Sequence, residues 1–566
     1  MPTLPRTLRL RAAPLASLLA AALPLLATPA AAQSPPDAGR LLEQTQPPPR
    51  PVLPPAQAPR VVEPPVRPTI NMPAGVTVTP SAFRITGASS FPVETLTALV
   101  QPYVGRKLDL AGLNEAAGTI TRHYQAAGHL LTYAYLPAQR VADGVIELAV
   151  LEGRIEATQI VTAQEVRLRD EVVQAHVEAL AGQVPLRQAD VERKLLLLND
   201  IPGVTARGAF TPGATTGGAD IIVSVAEEEP LDLKLELNNH GSRSIGEYRA
   251  GLSLQLRDLF GWGDQTTARA LTSSKGGLVS GTLAMSVPVG GDGYRLGASL
   301  SRLTYQLGGD FRSLGAAGNA NTFGIDASYP LVRSTDRNLW IKAAYEQKRL
   351  RDDILVTGSS NPKRNDVFDL TLSFDARDRF GGTAGSLTGS MGDLKLQNDA
   401  RRADDTLGIA REYRKATMQL VRQQALSGPW SLYLRLAGQA SGGNLDSSEK
   451  LGLAGPGMVR AYAPGAASVD QGAYLGAELR YVRDYVGGSF VWALFHEDAQ
   501  GLINRRPPAS LLAGNEVKLG GSGLSVQWSG GDVGLSASLA WRSRRALGAE
   551  GSDTQPRLYL QMVVTP

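Results

Sequence analysis

The 566-residue chain contains no cysteine, which excludes a disulfide framework. Beyond its first 32 residues it has no uninterrupted apolar run of helix-spanning length, and this excludes a transmembrane helix. No tryptophan precedes residue 230; all six (Trp262, Trp340, Trp430, Trp492, Trp528, Trp541) follow it. There is no Gly-x-x-x-x-Gly-Lys-Ser/Thr phosphate loop, no Gly-x-Ser-x-Gly nucleophile turn and no His-Glu-x-x-His zinc pair. The five histidines (His123, His129, His176, His240, His496) are scattered, which argues against a zinc site. No catalytic constellation, cofactor or metal is therefore expected. The basic excess is small as well. Arg6, Arg9 and Arg11 lie in the first 32 residues without an acidic partner, so removing that segment takes the net charge from +4 to +1. Nucleic acid is not an expected partner.

What is present begins with an export signal. The three arginines, the apolar stretch Ala12 to Thr28 and the small residues Ala30-Ala31-Ala32 read as a signal peptide over 1–32. From about Leu231 onward one pattern recurs: about ten residues of alternating apolar and polar side chains, then a Gly/Asp/Asn/Ser break. Leu252, Leu254 and Leu256 alternate with Ser253, Gln255 and Arg257, and Val533, Leu535, Ala537, Leu539 and Trp541 with Gly534, Ser536, Ser538 and Ala540. Such strands carry one greasy and one polar face, and in series they close into a barrel with lipid outside and water inside. Tryptophans confined to this half suit the aromatic girdles of a membrane barrel. About 16 antiparallel strands are expected over 230–566, with one anomalous connection at 442–471, dense in Gly and Ala. The stretch 509–530 reads as one strand or two.

Between signal and barrel, Asp37 to Thr45 reads as a short helix within 33–46, too short to be stable alone in water. A Pro-rich tether spans 47–75. Residues 76–155 and 156–229 then read as two small α+β units, each β-α-α-β-β.

Local runs in these units resemble the two-partner secretion transporters, the hemolysin secretion/activation type of outer-membrane protein. The first unit has Tyr124-x-x-x-Gly128, Leu136-Pro137-x-Gln139, Gly144-Val145-Ile146 and Leu151-Glu152-Gly153-Arg154-Ile155, similar to that family's first POTRA domain. The second has Glu192-Arg193-x-Leu195-Leu196-Leu197-Leu198-Asn199-Asp200-Ile201-Pro202-Gly203-Val204, similar to its second. In the long connection, Val459-Arg460-Ala461-Tyr462 resembles the family's Val-Arg-Gly-Tyr signature, with Ala461 where the family has glycine. That departure questions a backbone turn with positive φ. The chain also ends Val563-Val564-Thr565-Pro566, without the terminal aromatic that many outer-membrane proteins offer to the barrel assembly machinery.

The resemblance implies a plug helix, a linker, two periplasmic POTRA domains and an outer-membrane barrel. Its implied partners are the outer-membrane bilayer, the barrel assembly machinery during biogenesis, and a secreted protein with an N-terminal secretion domain. That client would be recognised unfolded by the POTRA domains and exported through the pore without ATP. Arg460 would bridge from the loop to a wall carboxylate, and the family's wall motif falls at Phe495, Glu497 and Asp498. Strand parity puts Phe495 and Glu497 on the lumen face, so Glu497 is the preferred partner; Asp498 would reach inward only through a β-bulge. The competing class is an insertase that assembles other barrels. A porin has no use for the two domains, and an autotransporter would carry a long passenger instead.

Overall fold

The computed structural model describes residues 35–45, 61–62, 77–129, 131–162, 166–182, 184–215, 217–544 and 555–566. The expected signal peptide and all of the expected tether except Val61 and Val62 lie outside the described residues. Among the described residues no helix is long and apolar enough to cross a membrane.

The chain starts with helix α1 (Ala38–Thr45) and a two-residue strand, β1 (Val61–Val62). The first small unit follows as β2 (Ala82–Thr86), α2 (Val93–Val100), α3 (Leu110–Ala126), β3 (Tyr133–Tyr135) and β4 (Val145–Leu151). Its sheet runs β2-β4-β3. Leu113, Ala116, Ala117, Ile120 and Tyr124 recur at helical spacing along α3 and pack on alternate residues Ile146, Leu148 and Val150 of β4.

The second unit repeats the order with β5 (Arg154–Thr162), α4 (Asp170–Val177), α5 (Gln188–Asn199), β6 (Val204–Pro212) and β7 (Gly218–Glu227). Its sheet is β1-β6-β7-β5, so Val61–Val62 adds as a parallel strand at the β6 edge. The two units are joined through a backbone bond, Gln188 N–H to Gly128 O (2.8 Å). Leu131 of the first unit lies in the core of the second. In the first unit Glu152 accepts hydrogen bonds from Ser89, Ser90 and Tyr124. Burial opposes its charge, yet these bonds hold its carboxyl down at about 2.

Sixteen antiparallel strands close the remainder into a barrel. They are β8 (Leu231–Asn238), β9 (Arg249–Arg257), β10 (Gln265–Ser273), β11 (Leu278–Val289), β12 (Tyr294–Gln306), β13 (Ala316–Arg333), β14 (Arg337–Ile354) and β15 (Ser359–Asp378). Then come β16 (Gly381–Leu396), β17 (Glu412–Ala425) and β18 (Trp430–Ser441). The long loop contains the short pair β19 (Leu451–Gly452) and β20 (Ser468–Val469), after which β21 (Gln471–Tyr485), β22 (Gly488–Leu502), β23 (Glu516–Gly530), β24 (Val533–Arg542) and β25 (Arg557–Val564) complete the wall. The ambiguous 509–530 stretch is thus a single wall strand. Apolar side chains of the alternation face out and stay exposed, as with Leu283, Leu300, Leu494 and Leu535. Where the outer face must meet hydrocarbon this is the required arrangement, because a closed ladder leaves no backbone group unpaired. Trp430, Tyr481, Trp492, Phe490 and Trp528 cluster at one end of this face.

Closure between first and last strands is brief. β25 and β8 share four residue pairs, from Gln561↔Asn238 to Val564↔Leu235. Asn239 extends the seam with its side chain, accepting from Leu560 N–H (2.8 Å) and donating to Leu558 O (3.0 Å).

The second unit is fastened to the near-end turns of β9 to β14. Asp200 takes a bidentate pair from Arg333 (2.8 and 2.8 Å), and Lys194 bonds Asp292 (2.8 Å). Arg169 lies over the Trp262 ring at 4.1 Å.

Candidate functional site

Two elements fill the bore. The loop between β18 and β21 folds inward from the far end of the barrel, and α1 sits beside it. The loop's tip carries Val459, Arg460, Ala461 and Tyr462, all buried. Val459, Ala461 and Tyr462 pack with Leu453, Val469, Tyr474, Phe495, Val517, Leu519 and Ala540 into one apolar cluster between loop and wall.

Arg460 is set in this cluster against two carboxylates. Its backbone N–H donates to Glu497 Oε2 (2.8 Å), its Nε to Glu497 Oε1 (2.9 Å), and its terminal nitrogen to Glu478 Oε1 (2.7 Å). The guanidinium carbon lies 3.4 Å from the Phe495 ring centre, a cation–π contact. Glu497 is fully buried and also receives Arg435 (2.8 Å) and the Tyr474 hydroxyl (3.1 Å). Arg435 further reaches Gly457 O (2.9 Å) and the Tyr474 hydroxyl. Glu478 takes a second guanidinium from Arg480 (2.6 and 2.8 Å). Two buried carboxylates thus hold three arginines, and the planar forks fix the loop's position by geometry as well as by charge.

Asp498 is elsewhere. Strand β22 keeps an unbroken register with both neighbours at this level, Asp498 opposite Leu475 and Gly520, with no bulge to turn it inward. It lies on the outer face, bonded to His496 (2.6 Å) and Arg544 (3.0 Å). Ala461 requires no positive φ, since among the described non-glycine residues only Asp143, Asp258 and Lys275 adopt one. Its methyl has a matching hollow. A Cβ placed on Gly521 of β23 would lie 2.6 Å from the Ala461 methyl, so the wall glycine makes room for the loop alanine. The loop tip is also held by Tyr559 of the last strand, whose hydroxyl donates to Tyr462 O (2.8 Å).

The loop's base grips the opposite wall. Glu449, fully buried, receives Lys348 (2.8 Å), Lys415 (2.8 Å) and Asn365 (2.8 Å), and Asp446 receives Lys363 (2.7 Å). The lysine charges outweigh burial and hold the Glu449 carboxyl down at about 2. Helix α1 rests on this base. Asp37 caps it by accepting from Arg40 N–H (2.9 Å), and its other oxygen accepts from Ser447 (2.6 Å) and Lys363 (3.4 Å). Ala38 N–H donates to Asp352 of β14 (2.7 Å), while Ala38, Leu41 and Leu42 pack on Leu278, Leu303, Tyr305 and Leu350. Gly39 permits the close approach, since a Cβ there would fall 2.5 Å from Ser447 Oγ. At the helix end, burial pushes the Glu43 carboxyl up to about 7 against the pull of Arg40.

Sequence reasoning named Arg460, Phe495 and Glu497 but missed Glu478, Arg435, Tyr474 and Arg480, and missed the lysines that receive Glu449 and Asp446. Their signal was parity. Tyr474, Glu478 and Arg480 occupy one face of β21, and Leu475, Ala477 and Leu479 the other.

A sixteen-stranded membrane barrel, its bore filled by an inward loop and a helix and its near end carrying two POTRA-like units, defines the class of POTRA-bearing outer-membrane barrels. The model described as haemolysin secretion/activation protein ShlB/FhaC/HecB matches residues 217–493, and that described as POTRA domain, ShlB-type, matches 78–153. The chain is 25% identical over 463 residues to the heme/hemopexin transporter protein HuxB of Haemophilus influenzae (strain 86-028NP), covering 79% of this chain and 80% of that protein. It is 23% identical over 395 residues to the outer membrane transporter CdiB of Dickeya dadantii (strain 3937), covering 68% and 69%. The solved structure of CdiB from Escherichia coli superposes with a TM-score of 0.69 over 88% of this chain and 93% of that one, at 19% identity, and shares the fold. The chain belongs to the ShlB/FhaC/HecB haemolysin secretion/activation family of two-partner secretion transporters. It is an outer-membrane β-barrel transporter with its POTRA domains in the periplasm, and its family implies a secreted partner protein.

Proposed function

We propose that this transporter takes an unfolded partner protein from the periplasm through its POTRA domains and exports it through the barrel bore without ATP. The observation that carries the reading is that the bore is filled by two separable elements, each tied to the wall by ion pairs and hydrogen bonds beside a small apolar cluster. Contacts of that kind can be exchanged for water or for an extended client backbone, whereas a barrel packed solid with apolar side chains has no such route. The plug is α1, and the loop tip at Val459, Arg460, Ala461 and Tyr462 is the gate, latched at Phe495 and Glu497. Asp498 stays outside this latch.

Client capture is by edge addition: an extended segment lays main-chain hydrogen bonds along an exposed POTRA strand with little sequence demand. Support comes from the chain itself, since Val61–Val62 adds to the β6 edge in this way. The client's N-terminal secretion domain would engage first, and folding beyond the membrane would bias the direction of transit. The barrel would reach the membrane through the barrel assembly machinery. The competing insertase reading has one observation in its favour, the four-pair seam between β25 and β8.

The test is co-expression with the partner protein and assay of the medium. Arg460→Ala should leave a membrane-inserted barrel and lower export of the partner; normal export would remove Arg460 from the mechanism. Loss of other outer-membrane barrels on depletion, with export intact, would favour the insertase.

A further inference from the structure

The outer face of the barrel carries a cationic row that serves neither plug nor loop. At the extracellular level of β12 to β16, cross-strand partners run Arg302↔Asn321, Asn321↔Arg349, Arg349↔Arg364 and Arg364↔Lys395. One outward residue from each of five neighbouring strands therefore sits in a single cross-strand row. Four are cations, and Arg349 faces Arg364 directly, as Arg364 faces Lys395. Like charges directly opposite repel across a ladder unless an anion lies against them.

Carboxylates neutralise part of the row. Arg364 pairs with Asp366 (2.8 Å) and Lys395 with Asp393 (2.7 Å), each two residues nearer the membrane centre. Arg302 and Arg349 have no carboxylate partner among the described residues. Arg302 reaches only Asn321 (3.4 Å), and Arg349 only Gln347 (3.0 Å). Both are exposed, on either side of Asn321.

Immediately below lies the apolar belt: Leu300 under Arg302, then Phe323 and Ile325 under Asn321. Further round, a concavity of about 580 Å³ is lined by Tyr345, Asp366, Phe368, Met391, Asp393 and Arg414. Beneath it Gly389 of β16 leaves open space on the outer face between Leu370 and Ala416. Polar cations above, a recess in the middle and an apolar slot below match an amphiphile whose anionic head sits at the membrane surface.

We propose that Arg302, Asn321 and Arg349, flanked by Arg364 and Lys395, bind the phosphate of a phosphorylated glycolipid of the outer leaflet, with an acyl chain lying along the apolar face beneath. Arginine forks bind phosphate oxygens two at a time, and they gain strength next to a low-dielectric belt. The lipid would then be a fixed part of the wall that backs the plug helix, since β12 to β14 also carry the inward contacts of α1.

The full chain, refolded or extracted in mild detergent, is titrated with bisphosphorylated lipid A and with the same lipid stripped of its phosphates. The native chain should prefer the phosphorylated form by about tenfold or more, the effect of charge-assisted bonds on one phosphate. The Arg302→Gln/Arg349→Gln variant should lose that preference while keeping its affinity for the stripped lipid. Arg351→Gln is the control for charge in general, because Arg351 is already paired with Asp353 at 3.0 Å. Heat-modifiable gel mobility verifies that each variant is a closed barrel. Equal binding of both lipids by the native chain, or unchanged preference in the double variant, overturns the proposal. Displacement of the lipid by inorganic phosphate at matched concentration also overturns it, since the site would then be a free-anion site.

Discussion

The two fillers of the bore are held in different ways. The loop tip brings its own apolar cluster, with Val459, Ala461 and Tyr462 interlocked with wall residues, and sets one arginine between two carboxylates. Helix α1 has eight residues, three small-to-medium apolar side chains and a capped N-terminus tied to Asp352, Lys363 and Ser447. A helix of that length has no stability of its own in water, so it is helical only while docked. The loop is anchored like a piece of core and the helix like a ligand. The helix should therefore leave first, and Lys363, which touches both Asp37 and Asp446, would transmit its departure to the loop base.

The largest expected effect breaks the stronger side. Removing one partner from a buried charge pair costs about 3–5 kcal/mol when the other is stranded. In Arg460→Ala, Glu497 keeps Arg435 and Glu478 keeps Arg480, so the cost should fall toward the lower end of that range. The ladders do not depend on Arg460, so heat-modifiable mobility should persist while partner export falls at least tenfold. Glu497→Gln should do the same, and Asp498→Asn should leave export unchanged.

The next effect tests the helix side through pH. A carboxyl whose pKa is higher docked than free takes up a proton on docking, so docking is favoured at low pH. The docked value for Glu43 is about 7 against an ordinary 4.5, a difference worth at most roughly 3 kcal/mol. The seal should be tightest at or below pH 4.5, weaken as pH rises through 7, and change little above. Groups facing Glu43 include Arg40 and Lys415, with the Gly452 backbone N–H donating to it. In planar bilayers the native channel should open more often at pH 7.5 than at pH 5, and Glu43→Gln should abolish the difference. A channel with no pH dependence would mean that Glu43 is not buried by docking.

How much of this was legible follows from what each feature depends on. The barrel was readable because lipid and water select opposite chemistry at successive residues, and that period is written locally, as along Val533 to Trp541. Arg460 stood out through a four-residue run, and Glu497 followed from parity along one strand. The rest of the latch depends on which strands adjoin and in what register. Arg435, Glu478 and Glu497 converge because β18, β21 and β22 are neighbours, and no local pattern states that Arg435 stands opposite Gly476, which stands opposite Glu497. The wall that receives α1 was equally invisible. The helix was readable as needing a surface, but Lys363 and Asp352 are ordinary lumen residues until the helix is placed against them.

A smaller effect sharpens the steric side of the comparison. In Gly521→Ala two methyls would compete for the hollow under Ala461, at a cost of about 1–3 kcal/mol for overpacking. The loop tip should loosen without loss of the barrel, seen as faster proteolysis within 442–470. Adding Ala461→Gly should restore resistance, because the hollow again holds one methyl. If the double variant stays as labile as the single one, the fit of methyl to glycine is not what seats the tip.

The smallest effect separates cap from charge at the helix. Asparagine caps a helix as well as aspartate does, so Asp37→Asn should keep the bond from Arg40 N–H, with its amide now donating to the Ser447 hydroxyl, while losing the attraction to Lys363 at 3.4 Å. Lys363 keeps its closer partner Asp446 at 2.7 Å, so no charge is left stranded. The expected change is about 1 kcal/mol or less, read as a severalfold rise in spontaneous openings with the loop still protected from protease. Asp37→Ala removes cap and charge together and should open the channel further, again without exposing the loop. If Asp37→Asn already matches Asp37→Ala, charge alone docks the helix. If Asp37→Asn is silent and Asp37→Ala is not, the helix is held by its cap, and Lys363 belongs to the loop rather than to the plug.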